Sequence, residues 1–121
     1  MRSTTQIGKD GEKIALDYFL KNGSTILEQN WRFGRHEIDI IIRKDDCIIF
    51  VEVKTRRSDY LIEPVLTVST KQQDRIIKAA NKYIQLYKLD YEFRFDIISI
   101  VRSRRSFKLK HFKDAFYPTV D

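Results

Sequence analysis

Three carboxylates and a lysine stand where charge is hardest to explain. Glu37, Asp39, Glu52 and Lys54 lie inside two runs dominated by Ile, Val and Phe, HEIDIIIRK and CIIFVEVKTR. Charged side chains are almost never buried unless they are paired or hold a metal. The runs read as two strands, about Glu37–Lys44 and Cys47–Arg56, joined by the acidic tip Asp45-Asp46. A two-residue loop sets Lys44 against Cys47, and a four-residue loop gives the same register. Counting outward, Asp39 falls opposite Glu52 and Glu37 opposite Lys54. Period-two alternation then puts all four on one face, shared with Ile41, Ile48 and Phe50. Like charges directly opposed across a sheet destabilise it. A facing carboxylate pair with a lysine beside it therefore suits a hard divalent cation. A solvated ladder of ion pairs is the alternative, and the apolar neighbours on that face weigh against it.

The flanking segments must position this hairpin. Thr5 to Asn22 reads as a helix, with Ser3, Thr4 or Thr5 as cap and Gly23 as stop. Its apolar stripe is Ile7, Gly11, Ile14, Ala15, Tyr18 and Phe19, and Glu12 lies at the edge of that stripe. Glycines at 8 and 11 weaken a helix by about 1 kcal/mol each, which favours close approach to another backbone or to a ligand. By spacing alone Glu12 reads equally well as a surface residue. Thr25 to Phe33 forms a strand with Trp31 in or near the core, and Gly34-Arg35 is a tight link into the hairpin. Arg56 to Val68 reads as an irregular loop bordering the site. A second helix follows, in which Ser69-Thr70-Lys71-Gln72 has the form of a capping box with Ser69 as N-cap. Ile76, Ile77, Ala80, Tyr83, Ile84 and Tyr87 keep its helical spacing. Lys71 sits in the first turn, where the helix dipole disfavours a cation, so it reads either as a solvated lysine or as part of a phosphate site. Tyr91 to Arg102 is another strand, its Asp96 read as a structural hydrogen-bonding group. An edge strand, Phe107–Phe112, carries a structural His111 and ends in a short tail. The central strand, second helix and next strand make a βαβ crossover, so the sheet is expected to be mixed, with helices packed on it.

Composition bounds the partners. A chain of 121 residues suits a single domain, 1–121, with a real core. Its 23 Lys and Arg against 17 Asp and Glu give a net charge of +6, which favours nucleic acid before membrane. Cys47 is the single cysteine, so no internal disulfide forms, and no Cys/His set has zinc-finger spacing. No apolar run approaches a membrane span, and MRSTTQIGKDGEK lacks the apolar core of a signal peptide. A cytoplasmic location is expected.

An acidic residue, Asp39, and then E-V-K at 52–54 resemble the motif of the PD-(D/E)xK nuclease superfamily, in which a Glu on the first helix precedes the motif. The wider pattern is closer still to the YraN-like family of small bacterial predicted endonucleases, similar in fold to archaeal Holliday junction resolvases. It is carried by G-K-D-G-E at 8–12, N-W-R at 30–32, E-I-D-I-I at 37–41 and F-V-E-V-K-T-R at 50–56. Lys71 with Arg75-Ile76, Arg94-Phe95-Asp96, and His111 with Asp114-Ala115-Phe116 extend it to nearly the full chain. The resemblance implies an α/β, restriction-endonuclease-like αβββαβ core with a mixed central sheet flanked by helices. It also implies a metal-dependent endonuclease for DNA, branched or a repair intermediate, with Mg²⁺ or Mn²⁺ held by Asp39 and Glu52. The Val53 carbonyl would assist, and Glu12 would be a further ligand. Lys54 would hold the attacking water or the scissile phosphate. Arg35, Arg56, Arg57 and Lys71 are the candidates for flanking phosphates, and a homodimer is expected by analogy with the resolvases. A nucleic-acid-binding module without catalysis and an RNA-directed nuclease stand as alternatives. Where the family usually has Gly before E-I-D, this chain has His36, a departure that bears on the geometry at Glu37.

Overall fold

The computed structural model describes residues 4–57 and 68–118, with side chains from Lys9 onward. Of the loop expected over Arg56 to Val68, residues 58–67 lie outside the described residues, as does the cap at Ser3, while Arg56 and Arg57 prove to be strand. The side chains of Thr4, Thr5 and Ile7 are likewise outside the described residues.

The chain begins with α1 (Thr4–Lys21), stopped where the sequence places Gly23. Gly23 takes φ +80°, its N–H bonds Leu20 O at 3.1 Å, and the Ser24 N–H bonds Phe19 O at 3.0 Å. That pair of bonds satisfies the last carbonyls of the helix, and the positive φ is why glycine suits the position. Three strands follow, β1 (Thr25–Phe33), β2 (His36–Lys44) and β3 (Cys47–Arg57). Gly34 at φ +61° and Asp45 at φ +55° make the two tight reversals. After α2 (Thr70–Tyr87) come β4 (Glu92–Arg102) and β5 (Phe107–Phe116).

The five strands form one sheet in sequence order, β1-β2-β3-β4-β5. All neighbours are antiparallel except β3 and β4, which run parallel across the α2 crossover. The mixed sheet and the αβββαβ order are as expected, with β5 added at the edge. That strand continues to Phe116 instead of ending at Phe112. Asp114 allows the extension by taking φ +55° and donating its N–H to Asp96 Oδ1 at 3.0 Å.

Each helix covers one face. Ala15 and Phe19 of α1 pack with Ile40, Ile42, Ile49, Val51, Ile98 and Ile100. On the other side Ile76, Ala79, Ala80 and Tyr83 of α2 pack with Ile41, Ile48, Phe50, Phe95 and Ile97. Phe93 is 40% exposed and only rims that cluster. Gly11 is the point of closest approach between α1 and the sheet: a Cβ there would stand 1.9 Å from Thr55 Oγ1. The close approach expected of another backbone or a ligand is at Gly11 made instead by a side chain of β3.

The register of β2 and β3 is as expected from Lys44↔Cys47 to Ile40↔Val51, and there the ladder stops. Asp39↔Glu52 and Glu37↔Lys54 are not paired positions. Strict alternation also fails: Ile38 packs with Ile41 on the α2 side, whereas Ile40 and Ile42 pack on the α1 side. Two local features account for this. Asn30 of β1, across from this point, has φ +50°, and the Asp39 carboxylate takes up the Val53 N–H that a continued ladder would leave to backbone.

Candidate active site

The two strands therefore part at the residues singled out by the sequence. Asp39 Oδ2 accepts from Val53 N–H at 2.8 Å, which fixes Asp39 against β3 although it is not in register with it. Glu52, 8% exposed, lies close enough to Asp39 for its charge to raise that acid, so the two are neighbours although they are not a ladder pair. Two neighbouring carboxyls with so little solvent favour one proton between them or a bound cation. Burial first, and then the charge of Glu52, push Asp39 up to about 8. Burial also raises Glu52, against the opposing pull of Lys54.

Lys54 Nζ lies 3.4 Å from Glu52 Oε1, with its side chain largely covered. Gln72, the fourth residue of the sequence Ser69-Thr70-Lys71-Gln72, joins these two. Its Nε2 donates to Glu52 Oε1 at 2.8 Å, and its Oε1 accepts from Lys54 Nζ at 3.3 Å. The capping box is thus half made. Ser69 Oγ accepts from the Gln72 N–H at 3.1 Å, as expected of the N-cap. The Gln72 side chain turns instead to the acid and the lysine.

Glu12 approaches from α1. With its amide nitrogen turned to the carboxylates, Asn30 donates to Glu12 Oε1 and Glu37 Oε1 at 3.2 Å each. Burial raises Glu12, the Asn30 bond opposes this, and the charge of Glu37 adds to it. Glu37 is also 3.6 Å from Arg32. Among the described residues no three His, Cys, Asp or Glu side chains converge as a ready-made metal site. Glu52 acts most strongly on Asp39, with Glu12 and Glu37 adding less, and Asn30 joins the last two. The expected trio is therefore a pair plus a neighbour in this state of the chain.

A cleft of about 320 Å³ opens on this centre, lined by Glu52, Glu37 and Gln72 with Arg35, Lys71 and Arg75. Ser69 and His36 also face it, which puts the N-terminus of α2 on the cleft. Of the four cations expected at phosphates, Arg35 and Lys71 line this cleft. Arg56 and Arg57 do not: they continue β3 beyond Lys54, paired with Val101 and Arg102 of β4. Arg75, Gln72 and Asn30 were not among the candidate site residues. Asn30 and Arg75 fall inside quoted motifs, and Gln72 was hidden by its plausible role as a cap.

At the other end of β4, Asp96 has the structural role expected of it. It is wholly buried and accepts from Arg94 Nε and Nη2 at 3.0 and 3.2 Å and from the Asp114 N–H. Its Oδ2 is also bonded to His111 Nε2 at 2.7 Å, and His111 Nδ1 to the Tyr18 hydroxyl at 2.9 Å. Burial alone would raise Asp96, but the bonds from His111, Arg94 and Asp114 outweigh it and hold the carboxyl below the usual range.

The family model described as "Uncharacterised protein family UPF0102" matches residues 11–100. A UPF0102 protein of Flavobacterium psychrophilum is 42% identical over 117 residues, which is 97% of this chain and 98% of the relative. One from Parabacteroides distasonis is 39% identical over 117 residues, 97% of each chain. A third, from Thermodesulfovibrio yellowstonii, is 41% identical over 112 residues, 93% of this chain and 96% of the relative. Among solved structures, Pyrococcus furiosus SfsA in complex with Ca²⁺ is similar with a TM-score of 0.36 and 13% identity. That match covers 92% of this chain, which spans 64% of SfsA, and a likeness so distant carries no argument. The motifs at 8–12, 37–41 and 50–56 and these near-full-length relatives agree: the chain belongs to the UPF0102 family, the YraN-like group.

Proposed function

We propose that this protein is a Mg²⁺- or Mn²⁺-dependent endonuclease that hydrolyses phosphodiester bonds of branched or otherwise structured DNA in the cytoplasm. The observation that carries the reading is half-buried Asp39 beside buried Glu52, with Lys54 against Glu52, and Glu52 lining a cleft together with Arg35, Lys71 and Arg75. The donor set fits a hard cation. Two neighbouring carboxyls with raised pKa values offer oxygen ligands, and Mg²⁺ bound by one or two carboxylates leaves its other positions to water and phosphate. A bound divalent ion would supply Lewis acidity at the phosphate and a water of lowered pKa.

The chain's own groups do the rest. The Val53 N–H holds Asp39 in place, and Gln72 holds Glu52 and Lys54 in one hydrogen-bonded set. Lys54 can then orient the attacking water or neutralise a phosphate oxygen, while Arg35, Lys71 and Arg75 seat the flanking phosphates. Such backbone contacts position a substrate without reading its sequence. The N-terminus of α2 lies on the same cleft, and the helix dipole favours an anion there. In all of this the excess of Lys and Arg in the chain favours a polyanion. Among the described residues no helix is long and apolar enough to cross a membrane.

The test is incubation of purified protein with branched, flapped and linear DNA, and with RNA, in Mg²⁺ or Mn²⁺. Cleavage is expected of DNA, with loss of about 100-fold or more in Glu52→Ala and Lys54→Ala. Unchanged cutting by those variants would sink the site. No cutting and no calorimetric Mn²⁺ binding, with DNA affinity retained, would replace the enzyme by a binding module. Preference for RNA would redirect the substrate, and a monomer in sedimentation would remove the expected homodimer.

A further inference from the structure

A cationic ridge leads away from the cleft to an exposed aromatic ring. Helix α2 carries one acid, Asp74, and four cations, Lys71, Arg75, Lys78 and Lys82, spaced by four, three and four residues. That spacing aligns the four along one stripe of a helix, about 16 Å long at ~1.5 Å per residue. Lys71 and Arg75 line the cleft, and Lys82 Nζ lies 5.1 Å from the centre of the Phe33 ring.

Phe33 is 43% exposed, at the last position of β1. Its ring is nearly parallel to Trp31, at 11° and 6.5 Å, and Trp31 is held edge-on by Tyr83 of α2 at 5.2 Å. The ring is therefore backed by a rigid aromatic row. Phe33 also pairs with His36, and His36 lines the cleft. Buried His36 Nδ1 has no hydrogen-bond partner among the described residues. One hairpin thus places an exposed ring beside the candidate centre, and α2 joins the two with positive charge.

We propose that Phe33 and the Lys78–Lys82 part of the ridge form a docking track for a single-stranded extension of the DNA substrate, an unpaired base stacking on Phe33. An exposed aromatic with a cationic groove is the combination that holds single strands, because every base has a face to stack and every nucleotide a phosphate. Lys82, now over the ring, is placed to meet the phosphate of a stacked nucleotide. The proposal depends on the nuclease reading only in taking nucleic acid as the ligand of the cleft.

Binding by fluorescence anisotropy in EDTA, at several salt concentrations, separates the two. The probes are a blunt duplex and the same duplex with a single-stranded extension. Wild type should bind the extended DNA more tightly, with a change in emission from Trp31, the single tryptophan. Phe33→Ala should weaken binding of the extended DNA by about 5- to 150-fold and that of the blunt duplex little, while Phe33→Tyr keeps both. Lys78→Gln with Lys82→Gln should flatten the salt dependence of log K for the extended DNA by about 1.4. Equal affinity of wild type for the two DNAs, binding of neither, or an unaffected Phe33→Ala would overturn the proposal. Cleavage assays in Mg²⁺ report separately: a Phe33-dependent preference with no cutting leaves the track standing and the nuclease reading fallen. Cutting with no such preference does the reverse.

Discussion

Metal-free protein should lose stability as pH rises from 5 to 8, and Asp39→Asn should abolish most of that loss. Asp39 titrates up at about 8 in the folded chain, against 3.8 for an ordinary aspartate, because it is buried and faces Glu52. Folded protein thus retains a proton that the unfolded chain releases near pH 4. A group with its folded pKa raised contributes stability that is full below the unfolded value and lost as pH climbs through the folded one. Glu52, also raised, acts in the same direction. Asp96 is held low, so its contribution stays intact across this window. From pH 5 to 8 about three units are traversed, at most ~4 kcal/mol. Discounting by about half for the solvent that reaches Asp39 leaves ~2 kcal/mol, or roughly 6–10 °C in Tm for a chain of this size.

The assay is thermal unfolding in EDTA at pH 5, 6, 7 and 8, repeated with Mg²⁺ or Mn²⁺. Asn at position 39 can still accept the Val53 N–H and can donate to Glu52, so it removes charge while keeping shape. At pH 8 the variant should be the more stable of the two without metal. Divalent ions should stabilise wild type at pH 8 and leave the variant nearly unmoved. A flat or rising wild-type profile in EDTA, or equal stabilisation of both proteins by metal, would refute the reasoning.

Three further outcomes follow from named contacts. Gly11→Ala drives a Cβ to 1.9 Å from Thr55 Oγ1 and 3.0 Å from its Cβ, so overpacking of about 1–3 kcal/mol should exceed the ~1 kcal/mol gained in helix propensity. Denaturant titration should show a net loss, partly recovered by adding Thr55→Ala, and a more stable Gly11→Ala would contradict the packing. Gln72→Leu removes the links to Glu52 and Lys54 and should cost about 10- to 100-fold in Mn²⁺ affinity or in cutting, with far-UV CD unchanged; unaltered affinity would mean that Gln72 only caps. Asp96→Ala strips a wholly buried group from Arg94, His111 and the Asp114 N–H, and should destabilise by about 3–5 kcal/mol. A loss under 1 kcal/mol in urea titration would show that this network is not structural.

The elements were legible because their signals are local. Gly23 stops α1 through its own φ, Ser69 caps α2 through its own hydroxyl, and the Asp45-Asp46 turn sets the β2–β3 register near the tip. What failed lies farther from those signals. Extrapolating the ladder to Asp39 and Glu37 ignored a left-handed Asn30 on the neighbouring strand, and no pattern within β2 or β3 encodes it. The carboxylates meet nonetheless, because the Val53 N–H captures Asp39 by a route that register arithmetic does not contain. Gln72 was misread for a different reason. S-x-x-Q is a sufficient local explanation of that residue, and only the fold shows that its side chain is used elsewhere. The tail of β5 likewise depends on a backbone bond to Asp96, made eighteen residues away in sequence.

Asp39 and Asp96 carry the sharpest contrast in the molecule, since both are aspartates set in apolar strands of one sheet. Asp96 is the more deeply covered, yet its pKa falls, because two side chains and a backbone N–H saturate its oxygens. Asp39 has one backbone bond and a second carboxyl for company, and its pKa rises. Burial therefore does not separate them; satisfaction does. A saturated carboxylate resists protonation and fixes its neighbours, and there is no chemistry left for it to do. Neighbouring acids whose pKa values are both raised, beside a lysine and next to a cationic cleft, are poised to take up positive charge. Selection for stability alone would replace such a pair with Asn or an apolar residue. The metal proposed at this pair is the charge that would complete it, as Arg94 and His111 complete Asp96.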